Sequence, residues 1–349
     1  MRRWQGLLFL LGMIAGASHA ATPVKAEYAE ATDVFNVLDN LPDWLPGYTA
    51  SVYGDYWEKH IGLDTADRSA LAAYAEFRQR TAEAARENGA DDPAGAGDLF
   101  APASTRQGDS FALHFLEASR FESGAASAIA AQTPKDRTML RAYYARFGAR
   151  ALRLVRAQSH FDSQRAALME HLASPAVPVF TDALGDFYGV GPAPAFVARM
   201  VWWPDSESTQ AKVRGRYILL HSQPDGAAEP MDWAPIVLHE YAHYLSAGQS
   251  TEQKRRLTAA FLQRCPAAAE LPNPLNALEE PLAIYWGQYR FEHDVRGREL
   301  PVADDWYFKP LADHVAKAIA AAFPASGPAP KLKDPALLAA AGNACADAP

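Results

Sequence analysis

In the stretch Asp232-Trp-Ala-Pro-Ile-Val-Leu-His-Glu-Tyr-Ala-His-Tyr-Leu245, which reads as a helix, the apolar residues Ile236, Leu238, Ala242 and Leu245 can pack it into a core. Asp232 is placed to cap this helix, and Pro235 falls in its first turn, where a missing N–H costs little. His239 and His243 are four apart, so they share one face, a turn from each other. Two imidazoles so placed can chelate one Zn²⁺. Glu240, beside the first, can reach a water on that metal. Chance puts an H-E-x-x-H string in a chain of this composition about one time in a hundred. The competing reading, a helix that merely carries two core or surface histidines, is therefore the weaker one.

Upstream of this helix the pattern is that of a sheet. Ala195-Phe-Val-Ala-Arg-Met-Val-Trp-Trp203 is rich in β-formers, Pro204 to Ser208 reads as a turn, and Arg216-Tyr-Ile-Leu-Leu-His221 is a second short apolar strand. Their order predicts an antiparallel pair. A loop through Pro224-Asp225-Gly226 then leads into the motif helix. Further back, from about Tyr28 to Ala176, the chain is mostly helical. An alanine-rich segment, Arg68 to Arg78, follows a start signal at Asp64 and Asp67. An amphipathic helix is expected from about Pro134 to Gln158. Another is expected from Asp162 to about Leu172, ending near Pro175 and Pro178. Glu87 to Asp109, broken by Gly, Pro, Asp and Ser, reads as a surface loop.

With the motif on a helix directly after a sheet, the chain resembles the zincin metallopeptidases over roughly Ala195 to Phe308, about a third of its length. The resemblance implies a helical domain against a small mixed sheet, with the motif helix beneath the sheet and an edge strand that pairs with substrate. The fold expected is thus α+β and mostly helical. Residues 1–20 would be a signal peptide, 21–190 a helical N-terminal region, 191–325 a zincin-like catalytic region, and 326–349 a poorly structured C-terminal tail.

The third ligand sorts the subgroups. Metzincins need Gly three residues after the second His and His six after it. Here those positions hold Ser246 and Gln249, which excludes that pattern. Gluzincins carry a Glu on a following helix, and Asn276-Ala-Leu-Glu-Glu-Pro-Leu-Ala-Ile-Tyr-Trp286 offers two. Glu280-Pro-Leu-Ala283 looks like the E-x-x-A found in many gluzincins. The 36 residues between His243 and Glu280 and the proline at 281, where glycine is common, depart from that pattern. Asn276 and Glu279 have capping-box spacing, which leaves Glu280 favoured as ligand and Glu279 as its competitor. Ordinary helix-end charge is the alternative for both.

The ligand set His239, His243 and Glu280 would hold one Zn²⁺ per chain and leave a fourth position for water, whose pKa zinc lowers toward about 7. Glu240 would act as general base in attack on a carbonyl. Tyr285, Tyr289, His293 and Tyr307 are candidates to stabilise the oxyanion, Tyr289 and Tyr307 foremost. His221 ends the strand before the motif helix and could approach the site. His60, His114, His160, His171 and His314 lack metal spacing and read as packing or surface residues.

The N-terminus bears on compartment. Arg2 and Arg3 precede an apolar run from Leu7 to Ala17, and Ser18-His19-Ala20 supplies small residues before a cut at Ala20/Ala21. This is the pattern of a secretory signal, and the run falls short of the about 20 apolar residues that span a bilayer. Cleavage removes two positive charges and no negative one, taking the net charge from −8 to −10. An acidic chain argues against nucleic acid and anionic membrane as partners. An oxidising destination permits a Cys265–Cys345 disulfide; two unrelated thiols are the alternative. The expectation is an exported zinc metallopeptidase acting on a peptide or protein substrate. A zinc-binding protein without catalysis and a hydrolase of a non-peptide amide are the alternatives.

Overall fold

The computed structural model describes residues 23–45, 48–87, 109–190, 194–205, 209–227, 231–271 and 274–347. The expected signal at 1–20, nearly all of the loop from Glu87 to Asp109, and Ser206–Ser208 of the expected turn lie outside the described residues.

Four strands form one mixed sheet, β1 (Val24–Glu27), β2 (Phe196–Trp202), β3 (Gln210–Arg214) and β4 (Tyr217–Ser222), in the order β1-β2-β4-β3. The expected antiparallel pair is corrected here: β2 and β4 are parallel neighbours, with Val197 opposite Tyr217 and Trp202 opposite Ser222. The antiparallel partner of β4 is β3, which the sequence pattern did not reveal. Gln210-Ala-Lys-Val-Arg214 has only two apolar residues and is half-buried throughout, as suits an edge, whereas β4 is buried along its whole length. The hairpin joining them turns at Gly215, whose φ of 57° favours glycine. β1 pairs in parallel with β2, so the first strand comes from the start of the 21–190 region expected to be helical, just before the helical pattern that begins near Tyr28.

The helices before the sheet are α1 (Glu30–Asn40), α2 (Val52–His60), α3 (Thr65–Glu87), α4 (Ser110–Leu116), α5 (Phe121–Ala130), α6 (Pro134–Gln158), α7 (Asp162–Leu172) and α8 (Ala176–Tyr188). Those after it are α9 (Trp233–Ala247), α10 (Thr251–Leu262), α11 (Asn276–Ile284), a π-helical segment Tyr285–Arg290, α12 (Phe291–Asp294), α13 (Pro310–Ala322) and α14 (Pro335–Ala346). The fold class is α+β, mostly helical with a small mixed sheet. α6 and α7 have the expected limits. α8 went unread because Pro178 looks like a stop, yet it falls in the first turn, where no N–H is required.

One cluster of buried apolar side chains runs from Val24 to Cys345. α1 packs against β2, and α9 against β3 and β4. No described helix is long and apolar enough to cross a membrane. The expected loose tail is corrected: α14 docks on α13 and α10, and Cys265 and Cys345 form the disulfide, their Cα atoms 5.7 Å apart. Pro335 starts α14 in its first turn and Asp334 caps it, a start signal masked by the alanine-rich run that follows.

Two polar groupings lie inside the helical part. Arg78 is 1% exposed and pairs with Asp39 at 2.7 Å and with Asp109. Tyr74 donates to Asp39 (2.8 Å) and Tyr48 to Asp109 (2.7 Å). Asp33 is also fully buried, but its donors are neutral: the Trp202 backbone N–H at 2.8 Å and the Ser159 hydroxyl at 2.5 Å. Burial pushes the Asp33 carboxyl up to about 7, against the pull of those hydrogen bonds.

Candidate metal centre

α9 begins at Asp232, whose side chain accepts from the Ala234 N–H, and buries Leu238, Ala242 and Leu245 as the pattern predicts. The same helical phase turns His239 and His243 together, their Nε2 atoms 3.2 Å apart. Glu280, on α11, reaches both: Oε1 lies 3.6 Å from His239 Nε2 and Oε2 3.5 Å from His243 Nε2. One ligand atom from each residue falls within 4.8 Å of the others, so this group can hold a metal ion. Ligands at about 2.0–2.1 Å from a tetrahedral ion lie about 3.3 Å from one another, which these separations approach. His239 is 4% exposed, and its Nδ1 is buried with no partner among the described residues, so its polar contacts all run through Nε2.

The electrostatics say the same. Burial alone would depress His243, but the Glu280 hydrogen bond and the charges of Glu240, Glu280 and Glu279 push it up to about 9. Burial would raise Glu280, but the two imidazoles hold it far below the usual carboxylate range. The cluster is a place where positive charge is stabilised.

Glu279 lies outside this group. It accepts a hydrogen bond from the Ser246 hydroxyl, which in turn accepts from Gln249 at 3.0 Å. The two positions that exclude the metzincin pattern thus hold Glu279 aside. The capping box suggested by the spacing of Asn276 and Glu279 does not form. α11 starts at Asn276 without a side-chain cap and carries Pro281 inside it, with Glu280 in the body of the helix.

Glu240 is half-buried and has no ion-pair or hydrogen-bond partner among the described residues, while its charge acts on both His243 and Tyr307. Of the four oxyanion candidates only Tyr307 is at the site. Its ring stacks on His239, 5.6 Å between centroids and 17° from parallel. Burial, then the facing Glu280 carboxylate, then Glu240, raise its pKa far above that of a free phenol, so the hydroxyl keeps its proton. Tyr289 is turned away: its hydroxyl accepts from the Ala325 N–H at 3.1 Å and its ring stacks on Trp306. Tyr285 donates to the Phe323 carbonyl at 3.0 Å, and His293 pairs with Asp294 at 2.8 Å. His221 does not approach either. It is buried between the Gln210 carbonyl and the Asn36 side chain, where burial keeps it neutral.

Two features of the site left no trace that the sequence reading used. After α11 the chain makes a π-helical turn, and Gly287 in that turn lies directly on the backbone of α9. A Cβ there would meet His239 N at 2.3 Å and Cα at 2.4 Å, so no side chain fits. The helix bearing the third ligand therefore touches the helix bearing the first two at His239 itself. The second feature ties the same helices at their ends. Arg296 reaches Asp232, the cap of α9, at 2.7 Å and Glu292 of α12 at 2.9 Å, while Glu292 also pairs with Arg298. A glycine after an acidic pair and an arginine near a helix end are signals too common to single out in advance. No family model, curated protein or solved structure matches the chain.

Proposed function

We propose that this protein is an exported, zinc-dependent peptidase of the zincin kind that hydrolyses peptide bonds. The observation that carries the reading is the convergence of His239 Nε2, His243 Nε2 and the Glu280 carboxylate beside a carboxylate, Glu240, that has no other partner among the described residues. A site that only bound metal would have no use for that base. The N-terminal pattern of Arg2, Arg3, the run Leu7 to Ala17 and Ser18-His19-Ala20 supports export.

His239, His243 and Glu280 would hold the ion. Bound there, zinc acidifies water and polarises a carbonyl, the two demands of amide hydrolysis. Glu240 takes the proton of the attacking water and passes it to the departing amine. Tyr307, kept protonated by its surroundings, offers its hydroxyl to the negative charge that develops on the carbonyl oxygen. Its ring, stacked on His239, also fixes the plane of that imidazole. Ser246 keeps Glu279 from competing for the ion.

The test compares two carboxamides. The purified protein should contain one zinc per chain. Glu240→Gln should keep that zinc and lose hydrolysis of a casein or peptide substrate by about 10²–10⁴-fold. Glu280→Gln should lose zinc and activity together. Normal turnover in Glu240→Gln would overturn the mechanism. Stoichiometric zinc without cleavage of any peptide would favour a binding protein instead.

A further inference from the structure

Tyr307 stands at the metal centre, yet the segment that carries it, residues 295–309 between α12 and α13, has no regular structure. No helical or sheet ladder fixes a side chain there. Burial does little either: Tyr307 is half-buried, and Phe308 beside it is 78% exposed. The ring nevertheless stacks on His239, 17° from parallel.

The hold is polar. The N–H groups of Trp306 and Tyr307 both donate to one atom, Asp313 Oδ1, at 2.8 and 3.1 Å. Two successive N–H groups turned to one acceptor make a concave backbone turn. That turn fixes the dihedrals between them, and with those the direction in which the Tyr307 side chain leaves the chain. Asp313 is 8% exposed, so water competes little for the oxygen. The other carboxylate oxygen is taken by Lys317, one turn along α13, at 2.6 Å. Trp306 closes the anchor: its indole N–H donates to the Pro301 carbonyl at 2.9 Å, and its ring stacks on Tyr289.

Resting on the peptidase reading above, we infer that Asp313 is a positioning residue of the site, which sets the Tyr307 ring on His239 through the backbone of Trp306 and Tyr307. The path to the ligands is continuous. Asp313 lies in the first turn of α13, and α13 packs against α11, the helix of Glu280. Tyr307 is thereby fixed against the frame of the third ligand while it touches the first. The competing role for Asp313 is a negative charge at the start of α13, paired with Lys317. That role needs the charge, whereas positioning needs an acceptor oxygen at one place.

A crossed pair of variants separates the two. Asp313→Asn keeps an acceptor oxygen in place and removes the charge. Asp313→Glu keeps the charge and displaces the oxygen by a methylene. The readout is the imidazole signals of His239 in the metal-free protein, recorded by long-range proton–nitrogen NMR and assigned by their loss in His239→Gln. The stacked ring of Tyr307 shifts these signals, and Tyr307→Leu gives their position without it. Asp313→Glu should move them toward the Tyr307→Leu position, and Asp313→Asn should leave them near the parent's. In the zinc-loaded protein, Asp313→Glu should keep zinc and KM and lower kcat on a casein-derived peptide by about 10²-fold, the scale of one oxyanion donor. Combined with Tyr307→Phe it should be no slower than Tyr307→Phe alone, because both act through one side chain. Signals that move in Asp313→Asn, or that stay in Asp313→Glu, overturn the inference. If the signals behave as expected but the zinc-loaded parent cleaves no peptide, the placement of Tyr307 by Asp313 stands and the peptidase reading falls.

Discussion

Two clusters of acidic groups in the molecule are treated in opposite ways. In the helical part, Arg78 lies between Asp39 and Asp109, and two tyrosine hydroxyls complete the hydrogen bonding. The chain supplies its own cation, and nothing remains to be bound. Around α9, His239, His243 and Glu280 are gathered as closely, but no Lys or Arg is among them. Their ligand atoms lie within 4.8 Å of one another, so a bound ion can replace the proton that Glu280 otherwise holds on His243. Both are costly assemblies, because charges removed from water must be compensated. What separates a structural cluster from a binding one is where the compensating positive charge comes from. Asp33 is a third case: it has neither, and it takes up a proton.

The largest effect that would test this contrast is in the self-compensated cluster. Arg78→Met leaves Asp39 and Asp109 buried without their cation and should cost about 3–5 kcal/mol of stability. It should be read as a fall in the chemical denaturation midpoint, with zinc stoichiometry unchanged. Loss of zinc in a variant that remains folded would show that the two clusters are coupled, and the contrast would fail.

A smaller effect is expected at the contact between the ligand helices. Gly287→Ala forces a methyl against the His239 backbone and must move α11 relative to α9. Zinc affinity should weaken about 10–100-fold, the scale of supporting residues around a metal. Gly342→Ala makes an equally tight contact, 2.4 Å from Arg264 Cβ, but far along the chain in α14. It should lower thermal stability and leave zinc affinity alone. Equal affinities in both variants, measured by competition with a chelator, would deny Gly287 any part in spacing the ligands.

The smallest effect, taken per pH unit, concerns Asp33. Folded, it keeps its proton up to about 7; unfolded, it releases it near 3.8. The folded state thus carries the extra proton between those values, and its stability is highest below the lower one and falls as pH rises. The slope is at most about 1.4 kcal/mol per pH unit. Asp33→Asn, which cannot ionise, should show a flatter dependence of its urea midpoint between pH 4 and 7. Parallel curves for parent and variant would mean that Asp33 is ionised in the fold.

How much of this was legible in the sequence depends on the range of the forces involved. His239, Glu240 and His243 were readable because a helix of fixed period turns local spacing into geometry. The limits of α6 and α7 were readable for the same reason, since Pro134 and the breaks around Pro175 act within a turn of themselves. The choice between Glu279 and Glu280 was not local. Neighbours on a helix point about 100° apart, and the phase of α11 is set by Ser246 and by Gly287, which belong to other segments. The order of the strands was likewise hidden, because β3 is an edge with alternate residues polar and β4 is apolar on both faces. α14 was misread as a tail because alanine-rich sequence carries little amphipathic signal.

The first strand has a consequence for how the molecule comes together in time. Val24 pairs with Phe196, so β1 is made before the eight helices that separate it from its partner. It cannot be placed until β2 exists, and a parallel pairing across so long a loop is a slow event. The helical part can gather locally while the sheet waits. α9 and α11 pack directly on each other, so the three candidate ligands can meet without waiting for β1. Binding of an ion should therefore report the docking of these two helices, and it can run ahead of the closure of the sheet by its first strand.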